Sequence, residues 1–121
     1  MALQSYKELE VWQKAFDVCV AVYQLTSKFP SDKEFGLSIQ LRRASVSVPS
    51  NIAEGCARGA TQDYVRFLNI ARGSAAEIET PLLLATALGF ANRKSADPLL
   101  AEIGSIQRML VAMVRKLGAK R

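Results

Sequence analysis

From Leu37 to Arg58, apolar residues return every three or four positions, so that Leu37, Leu41, Ala44, Val48, Ile52, Gly55 and Cys56 share one face of a helix. A strand, with its period of two, does not accommodate that spacing. Beside this face runs a second row, Gln40, Arg43, Ser47, Asn51, Glu54 and Arg58, whose side chains can hydrogen-bond one another at the border of a core. Pro49 falls inside the same stretch. It lacks an N–H, and its ring crowds the carbonyl of Ser45 four residues back, at a cost of about 3 kcal/mol unless neighbours compensate. The apolar face keeps its phase across the proline, which predicts one helix kinked at Pro49. Ser45, Ser47 and Ser50 could bond the backbone groups freed there.

The helical period recurs three more times. Ser5-Tyr6-Lys7-Glu8 offers a capping box, after which Leu9, Trp12, Phe16, Cys19 and Tyr23 follow the period of a bundle seam, with Val11, Val18, Val22 and Leu25 as a second stripe. Phe29-Pro30 ends that helix, and Ser31-Asp32-Lys33-Glu34 repeats the box to open the next, which Gly59 terminates. Thr61 is expected to cap a third helix through Tyr64, Phe67, Leu68, Ala71, Ala75, Ile78, Leu82 and Ala85 to Gly89, with Pro81 adding a second kink. Within it, Gly73-Ser74-Ala75-Ala76 replaces bulk with small residues, which points to a close approach. Asp97 as cap and Pro98 in the first turn open a fourth helix, carried by Leu99, Ile103, Ile106, Leu110, Met113 and Leu117 and closed by Gly118. The expected spans are about 6–28, 32–58, 62–88 and 98–117 of a single domain, 1–121. Short connections make successive helices antiparallel, so the expected fold is an all-α, up-down-up-down four-helix bundle.

Composition narrows the function. The chain has no histidine, which removes the commonest general base and metal ligand. Carboxylate-bridged di-metal bundles need Glu-x-x-His pairs, so Glu54, Glu77 and Glu79 read as salt-bridge partners, and no cofactor or metal is expected. A phosphate-binding loop, a dinucleotide fingerprint and a Cys-x-x-Cys pair are all missing. Cys19 and Cys56 lie on apolar faces of separate helices and are expected reduced in the core; with an N-terminus unlike a signal peptide, they predict a cytoplasmic protein. The longest apolar run, Pro81 to Ala91, is about half of what a membrane span needs, so no membrane association is expected.

The formal charge is +5, and it is uneven: seven bases oppose six acids in residues 1–60, and nine oppose five in residues 61–121. From Arg108 onward there are five bases and no acid. Such a surface attracts polyanions, or simply keeps the protein in solution.

The polar row needs partners, because an unpaired buried charge costs several kcal/mol. Arg66, Arg72, Glu77 and Glu79 of the third helix are the candidates. Three roles stay open for the row: a structural network of Arg43, Ser47, Asn51, Glu54, Arg58, Arg72 and Glu77, a contact between subunits, or a ligand site. The second stripe of helix 1, with Ile39, Val46, Ala53 and Ala57 on helix 2, exceeds what a four-helix core can cover, which predicts a homo-oligomer.

The motif from Leu41-Arg42-Arg43-Ala44-Ser45 through Val46-Ser47-Val48-Pro49-Ser50 to Asn51-Ile52-Ala53-Glu54-Gly55, then Arg58, Phe67-Leu68-Asn69-Ile70-Ala71-Arg72-Gly73-Ser74 and Glu77, resembles the 23S rRNA-intervening-sequence proteins, also called S23-type four-helix-bundle proteins. Tyr6-Lys7-Glu8-Leu9-Glu10-Val11-Trp12 fits as well, so the resemblance spans residues from about 6 to 90, and helix 4 matches only in pattern. The resemblance implies a four-helix bundle, commonly a ring-like homopentamer of the bacterial cytoplasm. The family name records where some members are encoded and describes no reaction. A related branch, the accessory proteins of diversity-generating retroelements, consists of basic pentameric bundles that bind nucleic acid and a reverse transcriptase.

The expected function is therefore that of a non-enzymatic homo-oligomer binding RNA or DNA without strong sequence preference. Arg42, Arg108, Arg115, Lys116, Lys120 and Arg121 are the expected contacts, with no aromatic platform for base stacking. The alternative is a scaffold that docks a partner protein and binds no nucleic acid. A third option uses Asn51, Glu54 and Arg58 for a small ligand or a reaction.

Overall fold

The computed structural model describes residues 5–30 and 35–119. Among them are four α-helices and no strand: α1 (Glu10–Thr26), α2 (Phe35–Arg58), α3 (Thr61–Ala87) and α4 (Arg93–Ala119), preceded by a 3-10 turn at Tyr6–Glu8. The Ser5 box forms, with the Ser5 hydroxyl accepting from the Lys7 amide at 3.1 Å and the Glu8 carboxylate accepting from the Ser5 amide at 3.0 Å. It closes the short turn and not the long helix. Leu9 is extended, with φ −72° and ψ 127°, and interrupts the ladder, so α1 begins at Glu10 and ends at Thr26.

Helix α2 runs unbroken through Pro49. The serines near the proline do other work: Ser45 Oγ donates to the Arg42 carbonyl at 2.9 Å, and Ser47 pairs with α3. None of the three hydroxyls bonds the Ser45 carbonyl among the described residues. The box at Ser31-Asp32-Lys33-Glu34 lies outside the described residues. Gly59 ends the helix at φ +84°, a left-handed conformation that glycine adopts without a Cβ penalty.

The cap of α3 is Ala60, which offers no side-chain bond, and Thr61 is the first helical residue. This helix too continues through its proline, Pro81. It ends in a Schellman motif: the Phe90 amide donates to the Ala85 carbonyl at 2.9 Å and the Gly89 amide to Thr86 at 3.1 Å, with Gly89 at φ +83°. Helix α4 starts at Arg93, five residues before the expected start at 98, because Asn92 caps it: its Oδ1 accepts from the Ser95 amide at 2.9 Å. Pro98 is thus inside the helix, and Gly118 is a helical residue and not its terminator.

One hydrophobic cluster draws on all four helices, with Val22, Leu41, Ile52, Leu68, Ile78, Leu82, Ile103 and Leu110 at its centre. The core faces of α2, α3 and α4 are those their periods predict. Helix α1 is turned the other way. Val11, Ala15, Val18 and Val22 are buried, whereas Phe16 and Tyr23 of the expected seam are 48% and 44% exposed. Short side chains on α1 let it sit close to its neighbours, and the bulkier aromatic stripe is left at the surface.

The close approach expected at Gly73 occurs at Gly55. A Cβ there would lie 2.8 Å from Phe67 Cβ and 3.1 Å from Tyr64 Cδ1, so α2 meets α3 almost backbone to side chain. Gly73 is exposed, and a Cβ on it would meet nothing within 4 Å.

Candidate functional site

The polar row of α2 does not form one continuous chain of bonds. Its central members meet α3: Ser47 and Ser74 hydroxyls lie 2.7 Å apart, and Asn51 Nδ2 donates to the Ser47 carbonyl at 2.8 Å and to its hydroxyl at 2.9 Å. Ser74 is buried at 8% exposure and completes this cluster. Its sequence neighbours are all small, so only its place on the α2-facing side of α3 could have singled it out. At the end of α2, Glu54 and Arg58 form an exposed pair at 3.0 Å along one helix. Arg43 and Glu77 are exposed and make no hydrogen bond or ion pair among the described residues, and Arg72 turns to Asn69 of its own helix at 3.0 Å.

The other candidate partners on α3 are used elsewhere. Arg66 lies 3.9 Å from Asp63 and 4.6 Å above the Phe67 ring, which Arg58 covers from 5.0 Å. Glu79 accepts from Gln107 of α4 at 3.5 Å. No buried side-chain nitrogen or oxygen lacks a partner among the described residues.

The expected nucleic-acid contacts divide into two kinds. Arg42 is half-buried and braced: its Nε donates to Thr26 Oγ1 at 2.8 Å, and its guanidinium lies 4.7 Å over the Tyr23 ring. Tyr23 is therefore an aromatic ring beneath a base, a pairing that sequence spacing did not reveal. Arg108, Arg115 and Lys116 are exposed on α4 without an ion pair among the described residues. Lys120 and Arg121 lie outside the described residues.

A groove separates α1 from α2. Tyr6, Trp12 and Phe16 form a run of rings along it, with centroids 5.2 and 5.1 Å apart. Cys19 lines the same groove, half-buried, with Ser45 Oγ 3.6 Å from its sulfur, so it is a wall and not a core residue. Cys56, also free, pairs with Tyr64 across the α2–α3 contact.

Burial pushes the Tyr64 phenol up to about 12 from 10.0, and the charge and hydrogen bond of the Cys56 thiol add to the shift. The folded chain thus holds the neutral phenol where the unfolded chain ionises. The stability this provides is complete below pH 10 and is lost as pH rises toward 12. Urea midpoints measured across that interval should fall, and Tyr64→Phe should flatten the fall; an equal alkaline loss in both proteins would place the titration elsewhere.

Among the described residues there is no group of three or more His, Cys, Asp or Glu side chains placed to hold a metal, and no helix long and apolar enough to cross a membrane.

A model of the 23S rRNA-intervening sequence proteins matches residues 7–112. The chain is also similar to a crystal structure of a protein with unknown function from the S23 ribosomal protein family of Bacteroides thetaiotaomicron. The TM-score is 0.78 at 25% identity, covering 86% of this chain and 97% of that one. No curated protein matches it.

Proposed function

This chain belongs to the 23S rRNA-intervening sequence protein family, and from that premise we propose that it is a non-enzymatic, homo-oligomeric bundle that presents repeated bases to nucleic acid. Within each copy the helices run up-down-up-down. Thr26 meets Arg42 while Cys19 meets Ser45, and Ser47 meets Ser74 while Gly55 meets Phe67, contacts that support antiparallel packing of α1 on α2 and of α2 on α3. Family resemblance favours five subunits, and two unpaired cysteines suit a reducing cytoplasm.

One observation carries the assembly. Phe16, Val20, Tyr23, Val46, Ile70, Leu83, Leu84 and Leu88 are 40–54% exposed, large apolar side chains that a contact between copies would cover. The nucleic-acid arm rests on Arg108, Arg115 and Lys116, exposed and without acid partners, which a ring would repeat around its rim.

Light scattering with the 260/280 nm ratio recorded alongside should give a multiple of the 13.2 kDa chain mass with co-purified nucleic acid. Titration against RNA and DNA should show affinity falling steeply with salt, as phosphate contacts require. Arg115→Glu with Lys116→Glu should abolish that binding while mass and melting temperature stay unchanged. Unchanged binding in that variant would move the contact away from Arg115 and Lys116, and no binding by the parent chain at low salt would overturn the nucleic-acid arm and leave a scaffold that docks a protein partner.

A further inference from the structure

The α1–α2 groove carries its charge at one end. There a recess of about 570 Å³ holds Arg42 and Arg43 beside Tyr23, Ile39 and Val46, and through Val46 it continues into a second recess of about 380 Å³. Among the described residues no Asp or Glu lines either recess, and neither arginine has a carboxylate partner. The two arginines differ. Arg42 is held in its brace to Thr26 and Tyr23, whereas Arg43 is exposed and makes no hydrogen bond or ion pair among the described residues. From Arg43 to Ala53 the axis of α2 rises about 15 Å. Over that length Val46, Pro49 and Ala53 of α2, with Phe16 and Trp12 of α1, give the groove apolar walls.

We propose that this groove binds a free single-chain anionic amphiphile, in its simplest form a long-chain carboxylate, with the head on Arg43 and the alkyl chain laid along Val46 and Phe16 to Trp12. This goes beyond the homo-oligomer reading, which keeps the exposed apolar residues of α3, Ile70, Leu83, Leu84 and Leu88. A guanidinium takes a carboxylate through two parallel N–H donors. Arg43 is free to do so, and Arg42 adds positive potential without leaving its brace. The recesses have the size and the mainly apolar lining of small-ligand sites, with a few polar groups to fix orientation. Polarity along the groove selects the occupant. An extended peptide would set amide groups against the apolar walls and leave them unpaired, whereas an alkyl chain has none to leave. Each methylene that it buries should tighten binding about fourfold.

Laurate, kept below the concentration at which it forms micelles, is the probe. Two reporters stand at the far end of the groove. Laurate should change the fluorescence of Trp12, the one tryptophan of the chain, and in a Cys56→Ser background it should slow alkylation of Cys19 by a maleimide. Affinity should rise from octanoate to laurate by about fourfold per methylene. Arg43→Gln should weaken laurate binding roughly tenfold, the lower end for a charged hydrogen bond because Arg43 is exposed, with the melting temperature unchanged. Val46→Asp, a carboxylate placed where the two recesses join, should abolish binding. A dodecyl chain with a trimethylammonium head that binds as tightly as laurate, or laurate affinity indifferent to Arg43, overturns the proposal. So does laurate that leaves Trp12 and Cys19 unaffected, or association with anionic lipid vesicles and not with free laurate. Laurate that lowers the particle mass seen by light scattering also overturns it, and assigns the groove to a contact between copies.

Discussion

Gly55→Ala should lower the melting temperature by roughly 5–10 °C, against the usual direction of a glycine-to-alanine change in a helix. Alanine ordinarily gains about 1 kcal/mol over glycine inside a helix. Here the new methyl would lie 2.8 Å from Phe67 Cβ, 3.1 Å from Tyr64 Cδ1 and 3.3 Å from the Tyr64 carbonyl. A tyrosine ring can rotate away. The Cβ of Phe67 and the backbone oxygen of Tyr64 cannot, so α2 and α3 must separate along their contact, and overpacking of this kind costs about 3 kcal/mol, leaving a net loss of about 2. Gly55→Val should cost more, since its second methyl enters the same space. Gly36→Ala, where a Cβ meets nothing within 4 Å, should show no loss. Thermal melts of the three variants beside the parent chain decide it: if Gly55→Ala melts at or above the parent temperature, α2 and α3 do not approach as closely as the Gly55–Phe67 contact requires.

Gly55 also illustrates how far the sequence reads. Its place on the apolar face of α2 is plain from spacing, but spacing does not say what stands opposite, and the close approach is equally consistent with the small residues around Gly73. Three core faces were legible because on each helix the main apolar arc is the buried one: Leu41, Val48 and Ile52 on α2, Leu68, Ala75 and Leu82 on α3, Ile103, Ile106 and Leu110 on α4. Helix α1 carries two arcs of the same period. There the bulkier stripe, Trp12, Phe16 and Tyr23, looks more like a seam, yet the volume left beside α2 and α4 admits Val11, Ala15, Val18 and Val22.

The α4 start was misread for a related reason. Asp97-Pro98 is a strong start signal, but Asn92 five residues earlier provides a cap bond, and the ladder tolerates Pro98 inside the helix. The polar row was legible as a sequence pattern, and within it Asn51 bonds Ser47, which alone reaches α3. Its partner Ser74 was hidden because a serine among alanines reads as a gap and not as a donor.

Arg42 marks the divide between a base that holds the fold and one that meets a ligand. Arg42→Gln should lower stability by about 2 kcal/mol, near the lower end of what a charged hydrogen bond and a partly exposed cation–π contact provide together. The lower end applies because Tyr23 is 44% exposed and Thr26 keeps its own bond to the Val22 carbonyl at 2.8 Å. Arg42→Lys should not restore the loss: an ammonium cannot lie flat on Tyr23 while an Nε–H donates sideways to Thr26. A double-mutant cycle with Thr26→Val isolates the 2.8 Å bond, and unfolding in urea should give a coupling of about 1 kcal/mol. The bases of α4 should behave in the opposite way, because Arg115 and Lys116 are exposed and without an ion pair among the described residues. Reversing them should remove polyanion affinity at unchanged stability. An Arg42→Gln protein that melts like the parent but no longer binds nucleic acid would move Arg42 from the brace between α1 and α2 to the contact surface. Its alignment with Thr26 and Tyr23 would then be an orientation held ready for a phosphate.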